Sequence, residues 1–105
     1  MSVPDFSAVT GFDWDEGNAM KGEKHAVSAA EAEQVFVNEP LVVLKDVVHS
    51  VAEPRWHALG RTSAGRLLHV TFTLRAGATR VRIISARPMH RKEKTVYEKT
   101  PQARS

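Results

Sequence analysis

Five arginines, Arg55, Arg75, Arg80, Arg82 and Arg87, and three histidines, His25, His57 and His69, are the side chains best suited to chemistry. Guanidinium forks grip phosphate oxygens in pairs and keep their charge throughout the physiological range. Imidazole titrates near neutrality, and Lys24, next to His25, becomes a proton-transfer group where neighbouring cations lower its pKa. Together these types suit phosphate binding and acid–base work. Each also has a plainer role: a strand arginine is commonly a solvated charge, and a Lys-His pair closing a helix satisfies its last carbonyls. The five histidines lack a His-Glu-x-x-His type of spacing, and no glycine-rich phosphate loop is present, so neither a metal nor a cofactor has a motif here.

Charge supports a polyanionic ligand. Residues 1–53 hold three basic and ten acidic side chains, whereas residues 54–105 hold twelve basic and two acidic, so a net charge of +3 hides halves of opposite sign. Lysines and arginines on phosphates release counterions and supply sequence-independent affinity, which makes nucleic acid the leading ligand class. At 105 residues the chain suits one core. It has no apolar run near the ~20 residues of a membrane span and no secretory signal after Met1, so a cytoplasmic location is expected. Without cysteine, stability must come from packing.

Positioning these residues requires a sheet. Leu41 to Val48, Arg55 to Arg61, Arg66 to Leu74 and Arg80 to Arg87 read as strands, joined by short glycine-containing loops. In the third, Leu68, Val70, Phe72 and Leu74 share one face while His69, Thr71, Thr73 and Arg75 share the other. On the last strand Arg80 and Arg82 share a side, though Ile84 interrupts the polarity. Ahead of the strands, Asp15 to about Lys24 reads as a first helix, weakened by Gly17 and Gly22. A second follows Ser28 and Glu31, a capping box, with Ala29, Ala32, Val35 and Phe36 on one stripe. Met89 to Glu98 reads as a basic helix carrying Arg91, with Met89, Val96 and Tyr97 inward.

The expectation is an α+β fold: an antiparallel sheet of about four strands, two N-terminal helices on its apolar face, and a C-terminal helix. The domain spans residues 11–99, between a flexible tail at 1–10 and a disordered one at 100–105. The acidic residues of the first half are expected on helices behind the sheet. Trp56 reads as core rather than as a base-stacking platform.

In order along the chain stand Phe12-Asp13-Trp14-Asp15, Glu23-Lys24-His25-Ala26-Val27-Ser28, Glu53-Pro54-Arg55-Trp56, Gly65-Arg66-Leu67-Leu68 and Arg82-Ile83-Ile84-Ser85-Ala86-Arg87, then Glu93 and Tyr97. This series, from roughly Gly11 to Glu98, resembles the BrnT toxins. Two departures are visible: the usual glycine after the Lys-His pair is Ala26, and the Trp14–Lys24 spacing is one residue short. The resemblance implies a RelE-like fold, endoribonuclease cleavage that inhibits translation, and neutralisation by a DNA-binding antitoxin resembling BrnA, of ribbon-helix-helix type, in a hetero-oligomer.

Metal-independent RNA cleavage needs a base for the 2′-hydroxyl, cations for the phosphorane and an acid for the leaving 5′-oxygen. On this resemblance Lys24, His25, Arg55, Arg82 and Arg87 are the candidate catalytic residues. Arg75, Arg80, His57, His69, Ser85, Arg91 and Tyr97 are candidates for RNA binding. For Tyr97 a helix anchor and for Ser85 a filler of the strand are the leading readings, and Glu93 is a candidate to orient a sheet arginine. The alternative is a non-catalytic nucleic-acid-binding or corepressor module using the same basic face.

Overall fold

Side-chain alternation sets the architecture. The computed structural model describes residues 4–18, 26–49 and 53–100. Strand β1 (Gly11–Phe12) is followed by helix α1 (Ala29–Val37) and strands β2 (Val42–Lys45), β3 (Trp56–Arg61), β4 (Leu67–Arg75) and β5 (Arg80–Pro88), and helix α2 (Arg91–Glu98) ends the series. The four longer strands form an antiparallel meander, and β1 lies parallel to β5, giving the order β1-β5-β4-β3-β2. The expected four-stranded antiparallel sheet is therefore corrected to five strands of mixed direction. The extra strand is two residues long, too short to show periodicity.

One face carries the core. Ala58 pairs with Val70 and Val70 with Ala86, and these stack with Phe72, Ile83 and Trp56 beneath α1, so Trp56 is indeed packing. Helix α1 starts where the sequence places it. Ser28 Oγ accepts from the Glu31 amide at 3.1 Å, and Glu31 returns a carboxylate oxygen to the Ser28 amide at 3.0 Å. Ala32 and Val35 are its buried residues, and Gly60 lets it approach the sheet closely. A Cβ at Gly60 would lie 2.7 Å from Val35 Cγ1. Phe6 and Val9, from the first ten residues, also pack on this core, and the Phe6 ring lies 6.2 Å from Phe36 and 5.9 Å from Phe72.

Expectations for the helices need two corrections. The first helix is not seen where it is described: Asp15 to Asn18 form a turn, closed by the Asn18 amide donating to the Asp15 carbonyl, while residues 19–25 lie outside the described part. Helix α2 is present, but Val96 is half exposed rather than inward. Its buried side is made by Tyr97, which packs with Met89 and Leu59, and with Val42 and Leu67. By strand alternation Leu59, Val42 and Leu67 point away from α1, so α2 covers one end of the opposite sheet face. Among the described residues no helix is long and apolar enough to cross a membrane.

Candidate functional site

The opposite face, where α2 leaves it open, is polar. Register puts His57 beside Thr71, Thr71 beside Ser85, His69 beside Arg87, Thr73 beside Arg82 and Arg75 beside Arg80. A bulge makes this possible. Thr71 pairs with Ser85 but Phe72 pairs with Ile83, so Ile84 is the extra residue. Without it, strict alternation would turn Ser85 and Arg87 to the face away from Arg80 and Arg82. Ile84, which breaks the polar pattern in the sequence, is thus where the strand resets.

At one end of this face guanidinium groups gather. Arg75 donates from Nε and Nη2 to Glu53 at 3.0 and 2.9 Å, and Arg82 donates from both Nη atoms to Asp15 at 3.1 and 3.0 Å, with Asp13 at 3.6 Å. Arg55 joins them around a cavity of about 220 Å³ with Asn18, Glu53, Arg75 and Arg82. The hydrogen bond from Arg82, then that from the Gly17 amide, holds Asp15 below the usual carboxylate range, and Arg75 does the same to Glu53. In return these carboxylates raise Arg75 and Arg82. Local turns deliver the acids. Asn18, buried, accepts from the Asp15 amide at 2.8 Å and donates to the carbonyls of Asp13 and Ile83, both at 2.8 Å, fastening the Asp13–Asn18 turn to the bulged strand. Thr73 donates its hydroxyl to the Pro54 carbonyl, holding the segment that bears Glu53 and Arg55.

Histidines occupy the other end. The rings of His57 and His69 lie 4.7 Å apart between centroids. His57 Nε2 is 3.2 Å from Asp46 Oδ2, and its Nδ1 is 3.0 Å from Thr71 Oγ1. Asp46, almost fully buried, also accepts from the His49 amide at 3.0 Å and meets the His49 ring at 3.1 Å. Burial works against its charge, yet the His49 contacts and nearby His57 outweigh it, and its pKa is lowered. Arg87 and Glu93 form a two-pronged pair at 2.8 and 2.8 Å, so Glu93 does orient a sheet arginine. That pair, opposed by burial, pushes Glu93 down to about 2. His69 has Nε2 3.8 Å from Glu93 Oε2 and is pushed down to about 4, mainly by burial and next by Arg87. It is neutral at pH 7.

Of the remaining candidates, Arg80 is exposed and reaches the Phe12 carbonyl at 3.4 Å, Ser85 is exposed opposite Thr71, and Arg91 is exposed at the first turn of α2. Lys24 and His25 lie outside the described residues. Of the two readings of Tyr97 the helix anchor holds and RNA contact is corrected: it is 2% exposed and its hydroxyl donates to the Pro40 carbonyl at 2.9 Å. A second correction concerns the acidic half. Asp13, Asp15, Glu53 and Asp46 face the polar side of the sheet and pair with its arginines and histidine, because they sit on turns and loops rather than on the helix behind. Asp46 and Thr71 are the participants that sequence reasoning missed. The only local hint is the three-residue spacing from Asp46 to His49.

Two of the sequence series also meet. Arg66 Nη1 donates to the Ala26 carbonyl at 2.6 Å and to Glu31 at 3.2 Å, tying the Gly65-Arg66 turn to the end of the segment that carries Lys24 and His25. No curated protein matches the chain. Residues 14–93 match the family model described as "Ribonuclease toxin, BrnT, of type II toxin-antitoxin system". That span holds the arginines and histidines of the polar face and all of its carboxylates but Asp13, is well over half of the 105 residues, and covers most of the series that carries the resemblance, from Phe12 to Tyr97; the chain belongs to the BrnT family of ribonuclease toxins.

Proposed function

We propose that this chain is a metal-independent endoribonuclease acting on the polar sheet face, that cleavage inhibits translation in the cytoplasm, and that a BrnA-like, DNA-binding antitoxin of ribbon-helix-helix type neutralises it in a hetero-oligomer. The observation that carries this reading is the gathering of Arg75, Arg80, Arg82, Arg87, His57 and His69 on one side of the sheet. Helices on both faces of a mostly antiparallel sheet support a RelE-like comparison.

The reaction follows from the side chains. Each guanidinium has five N–H donors, and pairing with a carboxylate occupies only part of the fork, so Arg75 and Arg82 keep donors for phosphate. Arg55, Arg80 and Arg91 extend the electrostatic track, and Ser85 adds a hydroxyl donor. The 2′-oxygen attacks its own phosphorus, the bond to the 5′-oxygen breaks, and Arg87 steadies the charge that accumulates on the phosphorane. Side chains that can exchange protons, Lys24 and His25 among them, serve the proton transfers.

The test is incubation of purified protein with RNA in EDTA, beside induced expression with and without the product of the adjacent gene. Metal-independent fragments ending in 2′,3′-cyclic phosphate, with growth arrest relieved by that neighbour, are expected. Tight binding of RNA left intact would replace this reading with a non-catalytic module.

A further inference from the structure

We propose that His57 is the general base of the cleavage reaction, with Asp46 as its positioning residue; this rests on the ribonuclease reading above. The geometry selects a tautomer for the neutral ring. With an Asp46 carboxylate oxygen 3.2 Å from Nε2, the neutral imidazole carries its hydrogen there and its lone pair on Nδ1. The partner of Nδ1, at 3.0 Å, is the Thr71 hydroxyl, which in this tautomer donates to it. A ribose 2′-hydroxyl loses its proton to Nδ1 by displacing the Thr71 hydroxyl, which rotates about its own χ1 to release that lone pair. The His57 side chain is 29% exposed while Asp46 is 6% exposed, so substrate reaches the imidazole and water is kept from the carboxylate behind it.

His69, whose ring is tilted 38° against that of His57, is the weaker candidate: burial and Arg87 disfavour its protonated form, and its Nε2 faces Glu93 at 3.8 Å. Arg87 lies across the ladder from His69 and within the same end of the face, placing a fixed positive charge near the imidazole pair. Nδ1 of His57 takes the 2′-hydroxyl proton, the 2′-oxygen forms its bond to phosphorus, and the bond to the 5′-oxygen breaks. The leaving oxygen takes a proton from solvent water. Asp46 stays ionised and faces the new imidazolium, and release of that proton to water resets His57.

The experiment compares the wild type with His57→Ala, His57→Gln, Asp46→Asn and Thr71→Val. It measures cleavage rates with saturating protein, affinity for a 2′-O-methyl RNA that cannot be cut, and melting temperatures. His57→Ala and His57→Gln are expected to lose about 10²–10³-fold in rate with affinity changed less than about threefold. Added imidazole should recover part of the rate of His57→Ala and none of that of Asp46→Asn. Asp46→Asn should lose about tenfold or more, with a displaced acidic limb in its pH–rate profile, and Thr71→Val should stay within about threefold of wild type. Folded His57 variants that cut at near wild-type rate, or that lose affinity as much as rate without imidazole rescue, would overturn the assignment. So would a loss in Thr71→Val as large as that in His57→Ala. A wild type that binds RNA without cutting it fails before any variant is made, and that outcome rejects the ribonuclease reading itself.

Discussion

At the arginine end of the polar face every shifted group is driven toward its charged form, whereas at the histidine end burial keeps His69 neutral. Strand β4 joins the two, with Arg75 and His69 six residues, or about 20 Å, apart along it. The lesson is a division of labour within one sheet face. Fixed charge suits holding a phosphate backbone, and a group that changes protonation state without leaving its place suits chemistry. Arg87 belongs to the second end although it is an arginine, since its partners are Glu93 and the His69 strand position.

The largest expected effect separates those ends. Arg87→Ala should lower the cleavage rate by about 10²-fold, the scale of losing one donor to a developing oxyanion. Arg75→Ala should weaken RNA binding and reduce the slope of log affinity against log salt by about 0.7, the value of one single-strand phosphate contact, with little change in single-turnover rate. Titrations at several salt concentrations beside single-turnover assays make the comparison. Equal behaviour of the two variants would erase the division.

Next in size is Asn18→Ala, which attacks the arginine end from behind. It removes three hydrogen bonds and leaves the Ile83 carbonyl beside the bulge without that donor, at a cost of roughly 2 kcal/mol. Urea denaturation measures the loss. RNA affinity should respond as well, because the turn that presents Asp13 and Asp15 to Arg82 loses its fastening; an unchanged midpoint would mean the turn is held by other means.

Why the core could be read from sequence and the site only in part follows from these same residues. Leu68, Val70 and Phe72 alternate with period two, and Ser28 with Glu31 carries its capping signal within four residues, so local order was enough. Ile84 announced a break in polarity, but a bulge is a property of two strands, and only the Phe72–Ile83 register shows which way it turns Ser85 and Arg87. Asp46 and His57 stand eleven positions apart and meet because β2 and β3 pair at Leu44 and His57. Helical spacing turns Tyr97 inward, but it turns Val96 inward too, and only packing against Leu59 and the Pro40 carbonyl, both distant in the chain, separates the buried residue from the half-exposed one.

Acid sensitivity sharpens the histidine end. The folded-state pKa of His69 is about 4, below the ordinary 6.5, so the unfolded chain takes up that proton first and stability is lost as pH falls from 6.5 towards 4. Glu93, pushed from 4.5 to about 2, adds a loss that begins lower, between 4.5 and 2. In His69→Gln the decline between pH 6.5 and 4.5 should shrink by roughly 1–2 kcal/mol, below full linkage because solvent still screens part of the ring. Denaturation midpoints at pH 7, 5.5 and 4.5 for both proteins provide the measurement, and parallel curves would locate the sensitivity elsewhere.

The smallest effect concerns Ala26. Its φ of 56° lies in the left-handed region, which costs an L-residue about 1 kcal/mol and glycine almost nothing. Glycine also makes the unfolded chain freer, so the net gain from Ala26→Gly should be about 0.5 kcal/mol, or roughly 2–4 °C in melting temperature for a domain of this size. Ala26→Val should move the other way, because branching at Cβ worsens the same conformation. Its carbonyl accepts from Arg66, which ties this position to the Gly65-Arg66 turn. If the position serves stability alone, Ala26→Gly will raise stability and leave the cleavage rate within about twofold. A large change in rate would instead mean that the backbone conformation at Ala26 bears on the proposed reaction as well as on the fold.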